Sequence, residues 1–268
     1  MGISVGSVIG RSLGIFFKNF FAFMVICAIA LSPVLIYLIN LVMTPMTLTK
    51  LMHLDQELAL WLFITIGLSF IASGGVTYGV IMQLRGQHAS MLDCLRVGVV
   101  RMLAVIGVTI LTVLAFVGPI IPGAAMAAAA GGGAGVIFVL AGVVISIVIY
   151  CRLWLAVPVA VVERPGVFAS LSRSGQLTEG SRGSIFGILF VIQLVRWGVQ
   201  KIIEAVVDVK SSRTFDEAIS RVKAYLVALM VLQLLFTAFS AVCCAVAYHD
   251  QRTQKEGTSV DELASVFD

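Results

Sequence analysis

The chain has 268 residues, of which 60% are hydrophobic and 12% charged, with a mean hydropathy of +1.07 and a net charge of +4. A soluble domain carries about 25% charged residues, so a water-facing globule is excluded, and long continuous apolar runs in place of short alternating ones exclude a membrane barrel. No Lys/Arg cluster is interleaved with aromatics, so nucleic acid is excluded as a partner and the positive excess is read as cytoplasmic loops beside anionic lipid.

The first 19 residues predict an amphipathic helix. Ser4, Ser7, Arg11, Gly14 and Lys18 form a polar stripe, with Val5, Val8, Ile9, Leu13, Phe16 and Phe20 opposite. Such a helix lies in the inner interface with its apolar side in lipid. Arg11, Lys18 and Ala28-Ile29-Ala30 imitate a signal peptide. The apolar run continues to Met43, too long for an h-region, so it is expected to be an uncleaved first span.

Six apolar segments follow, over Phe20–Met43, Leu58–Leu84, Met102–Ala130, Val136–Val162, Ser184–Val207 and Ala224–Tyr248. About 20 apolar residues cross a hydrocarbon core of about 30 Å, so the expected fold is an all-α integral membrane protein of six spans in one domain, with a bundle over 20–248 and a tail over 249–268. The second span carries Ala72-Ser73-Gly74-Gly75, which permits close helix approach or lines a pore. The third is interrupted at Pro119 and Pro122, as transporter helices are where freed backbone groups bind substrate. Gly131-Gly132-Gly133-Ala134-Gly135 follows no strand and precedes no Lys-Ser/Thr, so it is a turn and not a phosphate loop.

An inner-side amphipathic segment precedes each pair of spans. The second sets Met91, Leu92, Leu95 and Val99 against Ser90, Asp93 and Arg96; the third, after Pro165-Gly166, sets Phe168 and Leu171 against Arg173 and Gln176. The chain therefore reads as three units, each an amphipathic segment plus a helical hairpin.

In the fifth span Arg196 falls near mid-depth. A charge there costs at least about 2.5–3.5 kcal/mol in lipid, so it either contacts substrate or an ion, or snorkels to the outer interface beside Trp197; the second is expected. Lys201 and Glu204 form a local pair. Beyond it, Thr214 and Glu217 fit a capping box, and Glu217 with Arg221 an i,i+4 pair, so the last helix is expected to start near Thr214 and project beyond the outer face. Of the 18 Lys and Arg, eleven fall on the side of the N-terminus and seven opposite, which places both termini in the cytoplasm.

Chemistry-bearing sets are few. Cys27, Cys94, Cys151, Cys243 and Cys244 lack metal-ligand spacing and read as small buried hydrophobes; His53, His88 and His249 sit at segment ends; no acid pair falls within a span. No catalytic set, metal or cofactor is expected. On the inner face Glu163, Arg173, Glu179, Asp250, Arg252 and Glu256 are placed to pair as a cytoplasmic clasp.

Val157-Pro158-Val159, Glu163-Arg164-Pro165-Gly166-Val167-Phe168, Ser170-Leu171, Arg173-Ser174 and Leu177-Thr178-Glu179-Gly180 form one motif region. Tyr248-His249-Asp250-Gln251-Arg252 with Lys255-Glu256-Gly257 forms another, and Gly6 through Arg11 with Phe17-Lys18-Asn19-Phe20 a third. Together they resemble a bacterial membrane-domain family found fused to some membrane-anchored glycerophosphodiester phosphodiesterases and also standing alone. Gln251 departs from the family's apolar residue, usually leucine. The phosphodiesterase activity belongs to a separate barrel of about 250 residues, for which this chain has no room. The resemblance therefore implies a stand-alone, non-catalytic, inner-membrane protein. The expected role is binding of membrane lipid or a membrane-protein partner; the alternative is a small transporter or channel with a site near Arg196 and the Pro119/Pro122 break.

Overall fold

The computed structural model describes residues 4–44, 48–87, 89–130, 132–208 and 214–257. His88, Gly131, Lys210, Arg213, the side chains of Lys50, His53 and 132–134, and the tail from 258 onward lie outside the described residues. The described chain is all-α. Its helices are α1 (Val5–Lys18), α2 (Phe20–Ala30), α3 (Ser32–Met43), α4 (Leu48–Leu84), α5 (Met91–Val100), α6 (Met102–Val117), α7 (Ile120–Ala130), α8 (Gly132–Leu153), α9 (Ala156–Val162), α10 (Val167–Leu177), α11 (Arg182–Val207) and α12 (Phe215–Glu256).

Among the described residues four stretches are long and apolar enough to cross a membrane: Met102–Ala129, Gly135–Val162, Arg182–Val207 and Asp216–Glu256. A fifth is counted if α1 and α2, bent by 80° at Asn19, are taken as one span. The outward faces are apolar throughout: Phe21 is 82% exposed, Leu103 77% and Val206 78%. In water so large an apolar surface would drive aggregation; in a bilayer it is the solvent-matched surface. The protein is a multi-pass membrane protein.

α12 is the central pillar. Every residue from Ala241 to Tyr248 is buried, the pattern of a helix wrapped on all sides. α1, α2, α4, α9, α10 and α11 surround it. Its 42 residues span about 60 Å at about 1.5 Å per residue, twice a hydrocarbon core. Thr214 caps the start, its Oγ1 accepting from the Glu217 amide at 3.3 Å, and Arg221 pairs with Glu217 at 2.6 Å. Lys223 donates to the carbonyls of Val42 and Thr44, closing the end of α3.

α12 runs unbroken to Glu256, so the expected tail begins as a continuation of it. One expectation changes. The apolar side of α1 does not face lipid: Val8, Ser12 and Phe16 are buried, packed on α11 and α12. The bundle supplies an apolar wall nearer than the bilayer, and Leu13 and Phe17 turn outward instead. In α10, Phe168 on the expected apolar side is 78% exposed, while Ser170, Ser174 and Leu177 are buried, and Ser174 bonds to the end of a neighbouring helix.

Small residues set the tightest contacts. A Cβ on Gly98 would come within 2.6 Å of the Ile71 carbonyl, and one on Gly75 within 2.9 Å of the Cys94 carbonyl. α5 thus lies directly on the Ala72–Gly75 stretch of α4. A second seam joins α7 to α8, where a Cβ on Gly142 would meet the Pro119 carbonyl at 2.8 Å.

Candidate functional site

Two polar assemblies stand out. The first is at the C-terminal end of α12. Arg173 on α10 pairs through Nε with Glu163 at 3.1 Å and also with Glu256; Arg252 pairs with Glu256 at 2.8 Å. Tyr248 donates its hydroxyl to the other Glu163 oxygen at 2.7 Å. Arg11 on α1 pairs with Asp250 at 2.6 Å. Lys255 donates to the carbonyls of Gln176 at 2.5 Å and Glu179 at 2.8 Å.

The assembly thus joins Glu163, Arg173, Arg252 and Glu256 of the predicted clasp in one network and holds Asp250 in a separate pair with Arg11. Glu179 enters by its backbone carbonyl, because the turn after α10 presents orphan carbonyls to Lys255. Arg11, Tyr248 and Lys255 are members that the sequence reading missed. Arg11 and Asp250 are 239 positions apart and no local pattern links them; only the polar stripe of α1 marks Arg11.

The motif residues have a local job. Ser174 and Thr178 donate to the Arg152 carbonyl at 2.9 and 3.2 Å, satisfying the exposed end of α8. A Cβ on Gly175 would lie 2.7 Å from the Arg152 Nε, so glycine lets that guanidinium lie against α10. Arg164, at φ 60°, and Gly166, at φ 92°, turn the chain so that Glu163 faces α12. Gln251 is 2% exposed and its Nε2 has no partner among the described residues.

The second assembly is a cavity of about 320 Å³ between α4, α6, α8, α9, α11 and α12. Its walls carry the hydroxyls of Ser69, Ser73, Thr109, Thr112, Tyr150, Thr237 and Ser240. Arg196, near the middle of α11, lines it and is half-buried. Its Nη2 donates to Gln233 Oε1 at 2.8 Å, and Gln233 Nε2 donates to Thr237 at 3.3 Å. Thr109 and Thr112 donate to their own helix, to the carbonyls of Val105 and Val108 at 2.8 Å each, so they turn lone pairs towards the cavity. Among the described residues no carboxylate lines the cavity or pairs with Arg196.

This corrects the expectation that Arg196 snorkels outward. Trp197 does face out, 57% exposed. Its neighbour points about 100° away on the helix and finds a neutral interior partner in Gln233. Pro119 and Pro122 do not join Arg196; they belong to the α7–α8 seam and line none of the cavities described. Lys201 pairs with Glu204 at 2.6 Å.

All five cysteines are free and buried. In α5, burial and the neighbouring Asp93 push the Cys94 thiol up to about 11, so it is neutral and unreactive at physiological pH. No three His, Cys, Asp or Glu side chains converge as a metal set among the described residues.

No family model matches the chain, and no curated protein or solved structure is significantly similar to it. The fold and the two assemblies define a class only: a multi-pass membrane protein, all-α over its described residues, with a charged clasp at the C-terminal end of its last helix and a polar cavity within its helices.

Proposed function

We propose that this chain is a non-catalytic six-span membrane protein that binds an anionic ligand, either a small anion or the headgroup of an acidic amphiphile, in the cavity lined by Arg196. One observation carries the reading: a guanidinium stands in a hydroxyl-lined cavity and its bonded partner is a neutral amide. An arginine placed for stability alone is paired with a carboxylate, since an uncompensated interior charge is costly. Here the missing counter-charge is the ligand. The hydroxyl walls supply further polar contacts, and the planar fork of arginine suits carboxylate and phosphate oxygens.

In this reading α2–α3 with α4, α6–α7 with α8, and α11 with α12 are three hairpins, each introduced by an inner-side segment, α1, α5 or α10. Both termini lie in the cytoplasm of a bacterial cell, and the clasp closes the inner end. The position of Arg196 near the middle of a span also supports a second reading, in which the bound anion is transported. The family resemblance fits a stand-alone membrane module and adds no activity.

The full-length chain in neutral detergent provides the test, using oleate against oleyl alcohol and glycerol phosphate against glycerol. At least one anionic probe is expected to raise the melting temperature while its neutral analogue does not. At about 100 times the dissociation constant the stabilisation is about 2.7 kcal/mol. Arg196→Leu is expected to abolish the response. Equal shifts from charged and neutral probes, or an undiminished response in Arg196→Leu, would contradict the reading. Counterflow of the positive probe in proteoliposomes separates transport from binding.

A further inference from the structure

A different cavity, of about 340 Å³, opens at the corner between α1 and α2. The helices meet there at 80°. Asn19 locks the corner, its Nδ2 donating to the Ile15 carbonyl at 2.9 Å and to Gln83 Oε1 at 2.7 Å. That bond leaves the Gln83 Nε2 group to face the cavity as a donor.

The rim is polar. Lys18, the last residue of α1, is exposed and lines the cavity with Gln83 and Gln87. Gln87 is held at the mouth by the turn that ends α4. There Gly86 adopts φ 73°, the Gly86 amide donates to the Gln83 carbonyl at 3.0 Å, and the Gln87 amide donates to the Met82 carbonyl at 2.9 Å. The floor is apolar and made of Phe23, Ile26 and Cys94, each buried.

Among the described residues no carboxylate lines this cavity or pairs with Lys18. Asp93, beside Cys94, is committed to capping α5: it accepts from the Ser90 amide and hydroxyl at 3.3 and 2.7 Å. Around the mouth Phe17 is 68% exposed, Phe21 82% and Leu92 78%. These apolar side chains put the mouth against lipid, with a cation and amide donors one layer deeper.

We propose that the α1–α2 corner is a binding site for an anionic phospholipid of the bilayer, with Lys18, Gln83 and Gln87 taking the phosphate and the floor of Phe23 and Ile26 taking the start of an acyl chain. A soluble phosphate has no use for that floor, and a zwitterionic lipid brings a cation towards Lys18. The site is separate from the Arg196 cavity and does not depend on it.

Native mass spectrometry of the full-length chain tests this, with equal amounts of phosphatidylglycerol and phosphatidylcholine in non-ionic detergent. Phosphatidylglycerol is expected to be retained in preference. A juxtamembrane lysine contributes a factor of about five to acidic-lipid binding, so Lys18→Glu should lower that occupancy by about fivefold or more, and Lys18→Arg should keep it. Ala22→Trp, which fills the cavity without changing charge, should remove the same binding event. Arg196→Leu should leave it in place, so this site and the Arg196 cavity succeed or fail separately. Equal retention of the two lipids, or wild-type occupancy in both Lys18→Glu and Ala22→Trp, would overturn the proposal. Displacement by glycerol phosphate as effective as by whole lipid would overturn the acyl part of it.

Discussion

The C-terminal end of α12 and the Arg196 cavity both use arginine inside a membrane protein, in opposite ways. At that end Arg173 of α10 reaches Glu163 and Glu256, and Arg252 of α12 reaches Glu256. In the cavity Arg196 donates to the amide of Gln233 beside a wall of hydroxyls, with no carboxylate partner among the described residues. The first arrangement spends the charge within the protein and ties three helices together. The second keeps a charge uncompensated where compensation from lipid is not to be had. Pairing, more than depth or burial, separates the arginines of the clasp from Arg196.

The contrast breaks most visibly where a paired charge is reversed. Arg173→Glu brings a third carboxylate beside Glu163 and Glu256, both under 35% exposed. The expected loss is about 3 kcal/mol, the lower end for breaking a buried pair. The melting temperature in detergent should fall, and protease should cut at the end of α12 before the spans loosen. A smaller step removes one neutral member. Tyr248→Phe deletes a hydrogen bond to a charged group, with an expected cost of about 1.5 kcal/mol. A loss as large as that of Arg173→Glu would mean that the tyrosine, not the ion pairs, holds the network.

Gln251→Leu sharpens the comparison from the other direction. Its buried Nε2 has no partner among the described residues, so an apolar side chain of similar length should stabilise the chain by about 1 kcal/mol. An unchanged or lower melting temperature would reveal a polar partner for Gln251. Arg11→Ala should have the smallest effect, at most about 0.5 kcal/mol and fading with added salt, because Arg11 is 48% exposed. Arg196→Leu should cost under about 1 kcal/mol in the absence of ligand, because it strands a neutral amide and not a carboxylate; a cost near that of Arg173→Glu would place an acidic partner beside Arg196.

Much of the clasp was legible because its charges sit in short motifs at segment ends, where no apolar environment competes for them. The start of α12 was legible for the same reason: Thr214, Glu217 and Arg221 interact within one helical turn. What could not be read was the partner across the bundle. Gln233 is one of many mid-span polar residues, and nothing along the chain tells that its amide lies opposite Arg196. The hydroxyls of Thr109, Thr112 and Ser240 read as ordinary span residues until α6 and α12 bring them together. The apolar side of α1 misled in a related way, since amphipathicity shows that a face seeks apolar surroundings and is silent on whether lipid or protein provides them. The junction at Asn19 was legible, because the amphipathic pattern stops and the continuous apolar run begins there, and the two helices meet at 80°.

The central claim is that Arg196 makes an open cavity electropositive. Ser240 lines that cavity on α12. In a variant with the five native cysteines replaced, Ser240→Cys can be modified by an anionic and a cationic thiosulfonate, each rate taken relative to a free small thiol. The anionic reagent is predicted to react faster, and Arg196→Leu to lower its advantage roughly tenfold, which is about 1.4 kcal/mol and within what a unit charge exerts at about 5 Å in a partly hydrated site. Equal relative rates for the two reagents with Arg196 in place, or no reaction at Ser240→Cys with either, would contradict the account.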